Sequence, residues 1–249
     1  MVSEQNEWSQ RRIVVTGSRG GLGRGLVELF AGLGARVAGI DVAGSGARIE
    51  ADLRDASEAK RAVDEAAATI GGIDCLVGGA GVVDTIHRAA RFPTDSFRGD
   101  IEGNLLSQFF VAQAAYPHLA KSPGAAIVMV SSIAGLDGAL GQAAYATAKA
   151  GVVGMIRTLA AEWAPDGIRV NGVAPGLFAT PKVRALPAET TERLLASVPM
   201  GRVGEIAEVT GPIAFLLSHD ASYMTGQVLR LDGGAGLGTE GLFRRRTDS

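Results

Sequence analysis

Short β-branched runs alternate with longer Ala- and Leu-rich amphipathic stretches along almost the whole chain. That alternation restricts the fold more than any other feature. It is the pattern of βαβ units, in which parallel strands are joined by helices that cover the faces of one sheet. Strands are predicted over 12–16, 36–41, 48–51, 75–78, 125–131, 169–174 and 228–231. Helices are predicted over 22–33, 57–70, 96–119 with an interruption near Gly103, 142–163 and 205–217. Pro and Thr between 180 and 198 predict irregular turns with one or two short helices. The connection 42–47 is too short for a crossover helix, so one sheet face should lack a covering helix there.

The first predicted strand runs into Thr16-Gly17-Ser18-Arg19-Gly20-Gly21-Leu22-Gly23, and a helix follows at once. Strand, glycine-rich turn and helix in that order make an anion site. The glycines admit a pyrophosphate close to the backbone, and the helix start presents free amides and a positive dipole end. The second strand ends at Asp41, roughly twenty residues on, where a carboxylate can accept from both ribose hydroxyls of a dinucleotide and repel a 2′-phosphate. Asp41 therefore favours NAD over NADP. Arg19 could meet a 2′-phosphate, but it stands one place earlier than the residue directly before Gly21. The expectation is α/β: a single Rossmann-like doubly wound domain with a seven-stranded parallel sheet flanked by helices. One dinucleotide-binding and catalytic domain would span 1–249, with a core of about 11–234 and terminal segments 1–10 and 236–249.

Tyr145 and Lys149 stand four residues apart in an Ala-rich stretch, so a helix points phenol and ammonium into the same space. A free phenol titrates near 10 and is a poor base at neutral pH. A neighbouring positive charge favours the phenolate and so suits the pair to acid/base catalysis.

Bulk properties exclude other chemistries. A net charge of −2 leaves no basic excess for phosphate-backbone contacts, and 5% aromatic content offers few stacking platforms, so no nucleic-acid partner is expected. Cys75 lies in an apolar run and reads as a small buried hydrophobe. His87, His118 and His219 show no ligand spacing, so no metal is expected. The polar N-terminus lacks the apolar core of a signal peptide and no apolar run is long enough to span a bilayer, so a cytoplasmic protein with no membrane partner is expected. The tail ending Arg244-Arg245-Arg246 reads as solvated.

With these residues assembled, the chain resembles the short-chain dehydrogenase/reductase family from about residue 11 to 234. The turn from Thr16 to Gly23 is similar to the family's T-G-x-x-x-G-x-G, and Tyr145 and Lys149 to its Y-x-x-x-K. Asp52-Leu53 resembles the pair that meets the adenine, and Gly103-Asn104-Leu105 the helix segment with the family's catalytic Asn. Val130-Ser131-Ser132 resembles the strand end carrying the catalytic serine, with Ser132 thirteen residues before Tyr145. Pro175-Gly176-Leu177-Phe178-Ala179-Thr180 resembles the segment beside the nicotinamide. Where the family usually has N-A-G, this chain reads Gly79-Ala80-Gly81, which removes a side chain that normally ties neighbouring strands.

The resemblance implies hydride transfer between NAD and a secondary alcohol, dihydrodiol or ketone. Tyr145 would be the acid/base, Ser132 a donor to the reacting oxygen, Lys149 a ribose ligand, and Asn104 the holder of a relay water. It also implies a homotetramer, consistent with apolar residues on more than one face of 142–163 (Val152, Val153, Met155, Ile156, Leu159, Trp163). A mostly apolar substrate pocket is expected from Ile133, Leu136, Asp137 and Leu140, from 83–87, and from 177–186. Asp137, Lys182 and Arg184 are its candidate polar groups. Rival readings are an NADP-dependent 3-oxoacyl-thioester reductase, a non-catalytic dinucleotide-binding regulator, and a fold-sharing epimerase or dehydratase.

Overall fold

Seven strands pair in parallel in the order β3-β2-β1-β4-β5-β6-β7. They are β1 (Arg12–Thr16), β2 (Arg36–Asp41), β3 (Ile49–Glu50), β4 (Cys75–Gly78), β5 (Ala126–Val130), β6 (Arg169–Pro175) and β7 (Val228–Leu231). The computed structural model describes residues 7–82 and 86–237. The order reverses between β1 and β4, so their C-terminal ends open a crevice at the switch point where doubly wound sheets bind ligands.

Strand alternation builds a core on each face. Val14 faces one cluster with Ile40, Ile127, Met129 and Ile156, while Ile13 and Val15 face the other with Leu26, Phe30, Val128 and Ile213. The helices covering these faces are α1 (Gly21–Gly32), α2 (Ala56–Ile70), α3 (Thr94–Ile101), α4 (Ser107–Leu119), α5 (Ile133–Asp137), α6 (Ala143–Trp163), α7 (Pro181–Arg184), α8 (Ala188–Leu195) and α9 (Ala207–Leu217). Asp55 caps α2 by accepting from Ser57 and Glu58 N–H, and Gly71 ends it in the left-handed region.

Three features depart from expectation. The predicted interruption near Gly103 is a π-helical segment, Glu102–Leu106, that joins α3 to α4. The stretch after Ser132, expected as a loop, is the short helix α5, capped by the Ser132 hydroxyl accepting from Ala134 N–H at 3.2 Å. β3 is only two residues long. The connection before it holds no helix, as expected, and is drawn tight by Glu50, whose carboxylate accepts from Gly44 and Gly46 N–H at 3.0 Å each. The 180–198 segment carries the two short helices expected, α7 and α8. The triple-arginine tail, residues 1–6 and residues 83–85 of the expected pocket lie outside the described residues.

Candidate active site

The glycine turn leaves the top of β1 and starts α1. Gly17 has φ +68°, and a Cβ at Gly23 would stand 2.0 Å from the Gly17 carbonyl, so only glycine fits at either position. The N-cap of α1 is Gly20 with no side-chain cap, and no acid occupies the first turn, which includes Gly21 and Leu22. The helix start therefore keeps its amides for an anion.

Asp41 accepts from Arg19 N–H and Val42 N–H at 2.8 Å each, which fastens the glycine turn to the end of β2. The Arg19 guanidinium reaches across the 42–48 connection to the Ser45 carbonyl at 3.3 Å. Position in the turn had told against Arg19 at the adenosine end, but its side chain lies over the same connection that follows Asp41. Asp52 is exposed and paired with Arg54, whose hydrogen bonds hold its carboxyl below the usual range, while neighbouring Leu53 is buried in the core.

The missing asparagine at Gly79 is compensated locally. The Thr16 hydroxyl accepts from Gly79 and Ala80 N–H at 3.1 and 3.2 Å and donates to the Val77 carbonyl at 3.4 Å, tying the ends of β1 and β4 together. Thr180 caps α7 through Val183 N–H, and a Cβ at Gly21 would stand 3.0 Å from Pro181 and 3.3 Å from Thr180. The 175–181 segment, anchored by Gly176 N–H on the Leu231 carbonyl at 2.8 Å, thus closes against the glycine turn.

Tyr145 and Lys149 share a face of α6, with the ammonium nitrogen 5.6 Å from the ring centroid. Ser132 comes off the end of β5, and its hydroxyl lies near enough to the Tyr145 phenol to draw its pKa down. Its neighbour Ser131 has a packing role, donating to the Lys149 carbonyl at 2.8 Å. Lys149 is 3% exposed and donates to the Val130 carbonyl at 2.9 Å. Burial pushes its pKa down to about 8. The phenol departs from the expectation. Burial pushes it above its ordinary value, the Ser132 hydroxyl opposes the rise, and the charge of Asp100 adds to it. Desolvation is the largest effect on the phenol.

Asn104 sits in the π-helical segment, fully buried. Its amide donates to the Val82 and Asp100 carbonyls at 2.9 and 3.0 Å, and its oxygen accepts from Val82 N–H at 3.1 Å. A Cβ at Gly81 would stand 2.6 Å from that oxygen and 3.1 Å from the Lys149 nitrogen, so Asn104, Gly81 and Lys149 border one space. The π-helical turn is the local device that aims Asn104 there.

Around the opening, Val82, Ile86, Leu136 and Leu140 are exposed, and the segments carrying Ile86 and Leu140 are joined by His87 N–H on the Gly141 carbonyl at 2.9 Å. Asp137 is bound through both oxygens by Arg230, and Arg184 pairs with Glu205. These two expected substrate contacts are engaged within the protein. Cys75 is buried and its thiol pushed up to about 11, as an inert core residue. Among the described residues, no helix is long and apolar enough to cross a membrane.

Sequence reasoning missed Thr16, Arg230 and Gln108. Arg230 carried a legible signal as the one polar residue in the apolar strand β7, whereas Gln108 stands beside Ser107 and five residues before Gln113 in α4 and did not stand out.

Comparison with known proteins agrees with this construction. The family model described as Enoyl-(Acyl carrier protein) reductase matches residues 17–236. The 3-oxoacyl-(acyl-carrier-protein) reductase FabG of Thermotoga maritima is 36% identical over 237 residues, 89% of this chain and 96% of its own. The cis-4-hydroxycyclohexanecarboxylate dehydrogenase of Sinomonas cyclohexanicum is 36% identical over 241 residues, 91% of this chain and 97% of its own. A solved Brucella melitensis structure, titled short-chain dehydrogenase/reductase SDR:Glucose/ribitol dehydrogenase, superposes with a TM-score of 0.85 at 33% identity, covering 93% of this chain and 99% of the other. The chain belongs to the short-chain dehydrogenase/reductase family of NAD(P)-dependent oxidoreductases.

Proposed function

We propose that the protein is an NAD-dependent oxidoreductase of a small, largely nonpolar secondary alcohol, dihydrodiol or ketone, with Tyr145 as its general acid/base. The observation that carries this reading is the convergence of Tyr145, Ser132 and Lys149 at the switch-point crevice, below an apolar rim whose acid and base, Asp137 and Arg184, are already paired.

The residues present fit a dinucleotide, because close backbone packing at Gly17 and Gly23 holds the turn tight while the start of α1 has neither a side-chain cap nor an acid in its first turn. The amides of Gly21 and Leu22 at the start of α1 would take the pyrophosphate, with Gly17, Arg19 and Gly20 shaping the turn around it. Asp41 would take the adenosine ribose, Asp52 and Leu53 the adenine, and Gly79, Ala80 and Gly81 the middle of the molecule. Val130, Tyr145 and Lys149 would flank the nicotinamide ribose, and Pro175, Gly176, Leu177 and Thr180 the nicotinamide. When bound, this group supplies the two-electron chemistry by exchanging hydride at the substrate carbon.

The protein's own work is on the oxygen. Ser132 donates a hydrogen bond to it and so favours developing negative charge, and Tyr145 takes or returns its proton. Lys149 favours the phenolate, and Asn104 holds the path by which protons reach Lys149 from solvent. A single dinucleotide-binding and catalytic domain over about 11–234, a homotetramer and a cytoplasmic location complete the reading. Exposed Leu106 at the end of the π-helical segment, Phe109 on α4 and Phe215 on α9 are apolar surface that neighbouring subunits would cover.

A second reading, an NADP-dependent 3-oxoacyl-thioester reductase, is favoured by the likeness to FabG, and Arg19 over the 42–48 connection suits it. Nicotinamide absorbance with a panel of cyclic alcohols, dihydrodiols, ketones and a 3-oxoacyl thioester, each with both cofactors, separates the two. Tyr145→Phe should abolish turnover while leaving dinucleotide binding nearly intact. Turnover at the wild-type rate in that variant would overthrow the proposal.

A further inference from the structure

Gln108 is a buried polar side chain near the site to which the chemistry above gives no task. It is 2% exposed, in the first turn of α4 just after the π-helical segment. Its amide nitrogen donates to the Asn104 carbonyl at 3.3 Å and to the Val130 carbonyl at 3.1 Å. Both partners are pure acceptors, which fixes the amide orientation and turns the oxygen toward Gly78, where a Cβ would stand 3.0 Å away. That oxygen is buried and has no hydrogen-bond partner among the described residues.

The arrangement is a poor one for stability alone. An orphaned buried acceptor works against folding, and an apolar side chain of similar volume would avoid it. The benefit lies at the Val130 carbonyl, which has two donors, the Gln108 amide and the Lys149 ammonium. Were the lysine the only donor, every movement of the ammonium toward a ligand would strand a buried carbonyl.

We propose that Gln108 is a positioning residue that keeps the Val130 carbonyl satisfied when Lys149 releases it, so that the ammonium is free to engage the ribose of a bound dinucleotide. This rests on the reading of Lys149 as a cofactor ligand. The same amide pins the Asn104 carbonyl, so one side chain holds both neighbours of the lysine while the lysine itself moves.

The test is a binding cycle that needs no turnover. Dinucleotide dissociation constants are measured by fluorescence titration for the wild type, Gln108→Met, Lys149→Met and the double variant. Gln108→Met should bind roughly tenfold more weakly, the ratio expected when a buried carbonyl loses its only remaining donor. In the Lys149→Met background the same substitution should change affinity by less than about twofold, because no ammonium remains to be released. An equal loss in both backgrounds means a merely structural role and overturns the inference, as does unchanged affinity in Gln108→Met.

Gln108→Glu serves as the second variant and keeps the shape. Its deficit relative to wild type should shrink as the pH is lowered and the carboxyl regains a proton to donate, and a constant deficit counts against the proposal. An additive cycle in a protein that binds dinucleotide leaves the proposed function standing. A wild type that binds no dinucleotide removes both.

Discussion

Lys149→Met should make the cofactor-free protein more stable while destroying the site. The lysine is 3% exposed, and its pKa falls from 10.5 to about 8 because the charged form is desolvated. A folded-state pKa below the unfolded one means that the unfolded chain holds more protons between those values, so stability rises with pH across that window. Well below pH 8 both states are charged, and holding the ammonium inside costs the fold about 3 kcal/mol. At about pH 9.5 the folded lysine is neutral and much of the cost is gone, a relief of about 2 kcal/mol relative to pH 7.

Methionine has a similar length and no charge, and the Val130 carbonyl keeps the Gln108 amide. The variant should therefore exceed the wild type near pH 7, by up to about 3 kcal/mol or a melting shift of roughly 6–12 °C. The excess should shrink by about 2 kcal/mol toward pH 9.5. Urea unfolding of both proteins without cofactor, at several pH values and one protein concentration, measures this difference. Because the packing offset is common to every pH, the slope of the difference is the decisive quantity. A difference that stays flat with pH, or grows, refutes the claim that a buried ammonium is held here at a cost.

Gly81→Ala should cost about 1–3 kcal/mol of stability and lower kcat by at least about tenfold, since its methyl would meet Asn104 and Lys149; thermal melts with steady-state kinetics check both. Asp41→Asn should raise the NADP-to-NAD ratio of kcat/KM on the order of tenfold by removing one repulsion while Arg19 remains; the two coenzymes assayed side by side decide it. Asp74 is raised by burial but brought below the usual carboxylate range by hydrogen bonds from Arg12 and Ser122. Its stabilisation is present above the ordinary carboxylate pKa and lost as the pH falls through the lower folded value. Asp74→Asn should cost about 1–3 kcal/mol at neutral pH and flatten the acid limb of a stability–pH curve.

The sheet was readable because each strand is a short apolar run and each crossover helix is long enough to show its period. β1, β2, β4 and β7 fall on the predicted residues, β5 is one residue shorter at each end, and β6 is one residue longer at its C-terminal end. The site motifs were readable because they sit where strands end and helices begin. What escaped was set by contacts distant in sequence. Gly103 and Asn104 looked like a helix break, but the bonds between Asn104 and Val82 hold a widened turn in place. Five residues after Ser132 are too few to display periodicity, so α5 read as loop. Asp137 read as a candidate polar group or a solvated loop charge, because its partner Arg230 lies 93 residues away. Spacing alone put the ammonium's effect on Tyr145 first, and only the depth of the pair reveals the opposing effect of desolvation.

The central pairing of the sheet joins Ile13 to Cys75 and Val15 to Val77, partners about sixty residues apart. On a ribosome, β1 and β2 emerge early, but the inner edge of β1 stays bare until β4 has left the exit tunnel. Closing that gap carries a loop-entropy cost before any contact repays it. Until β4 has emerged, the nascent chain therefore exposes an unpaired edge along the Ile-Val-Val run of β1, a template for unwanted association between neighbouring chains. The order of the strands that creates the binding crevice also makes the interval between the emergence of β1 and that of β4 the hazardous one.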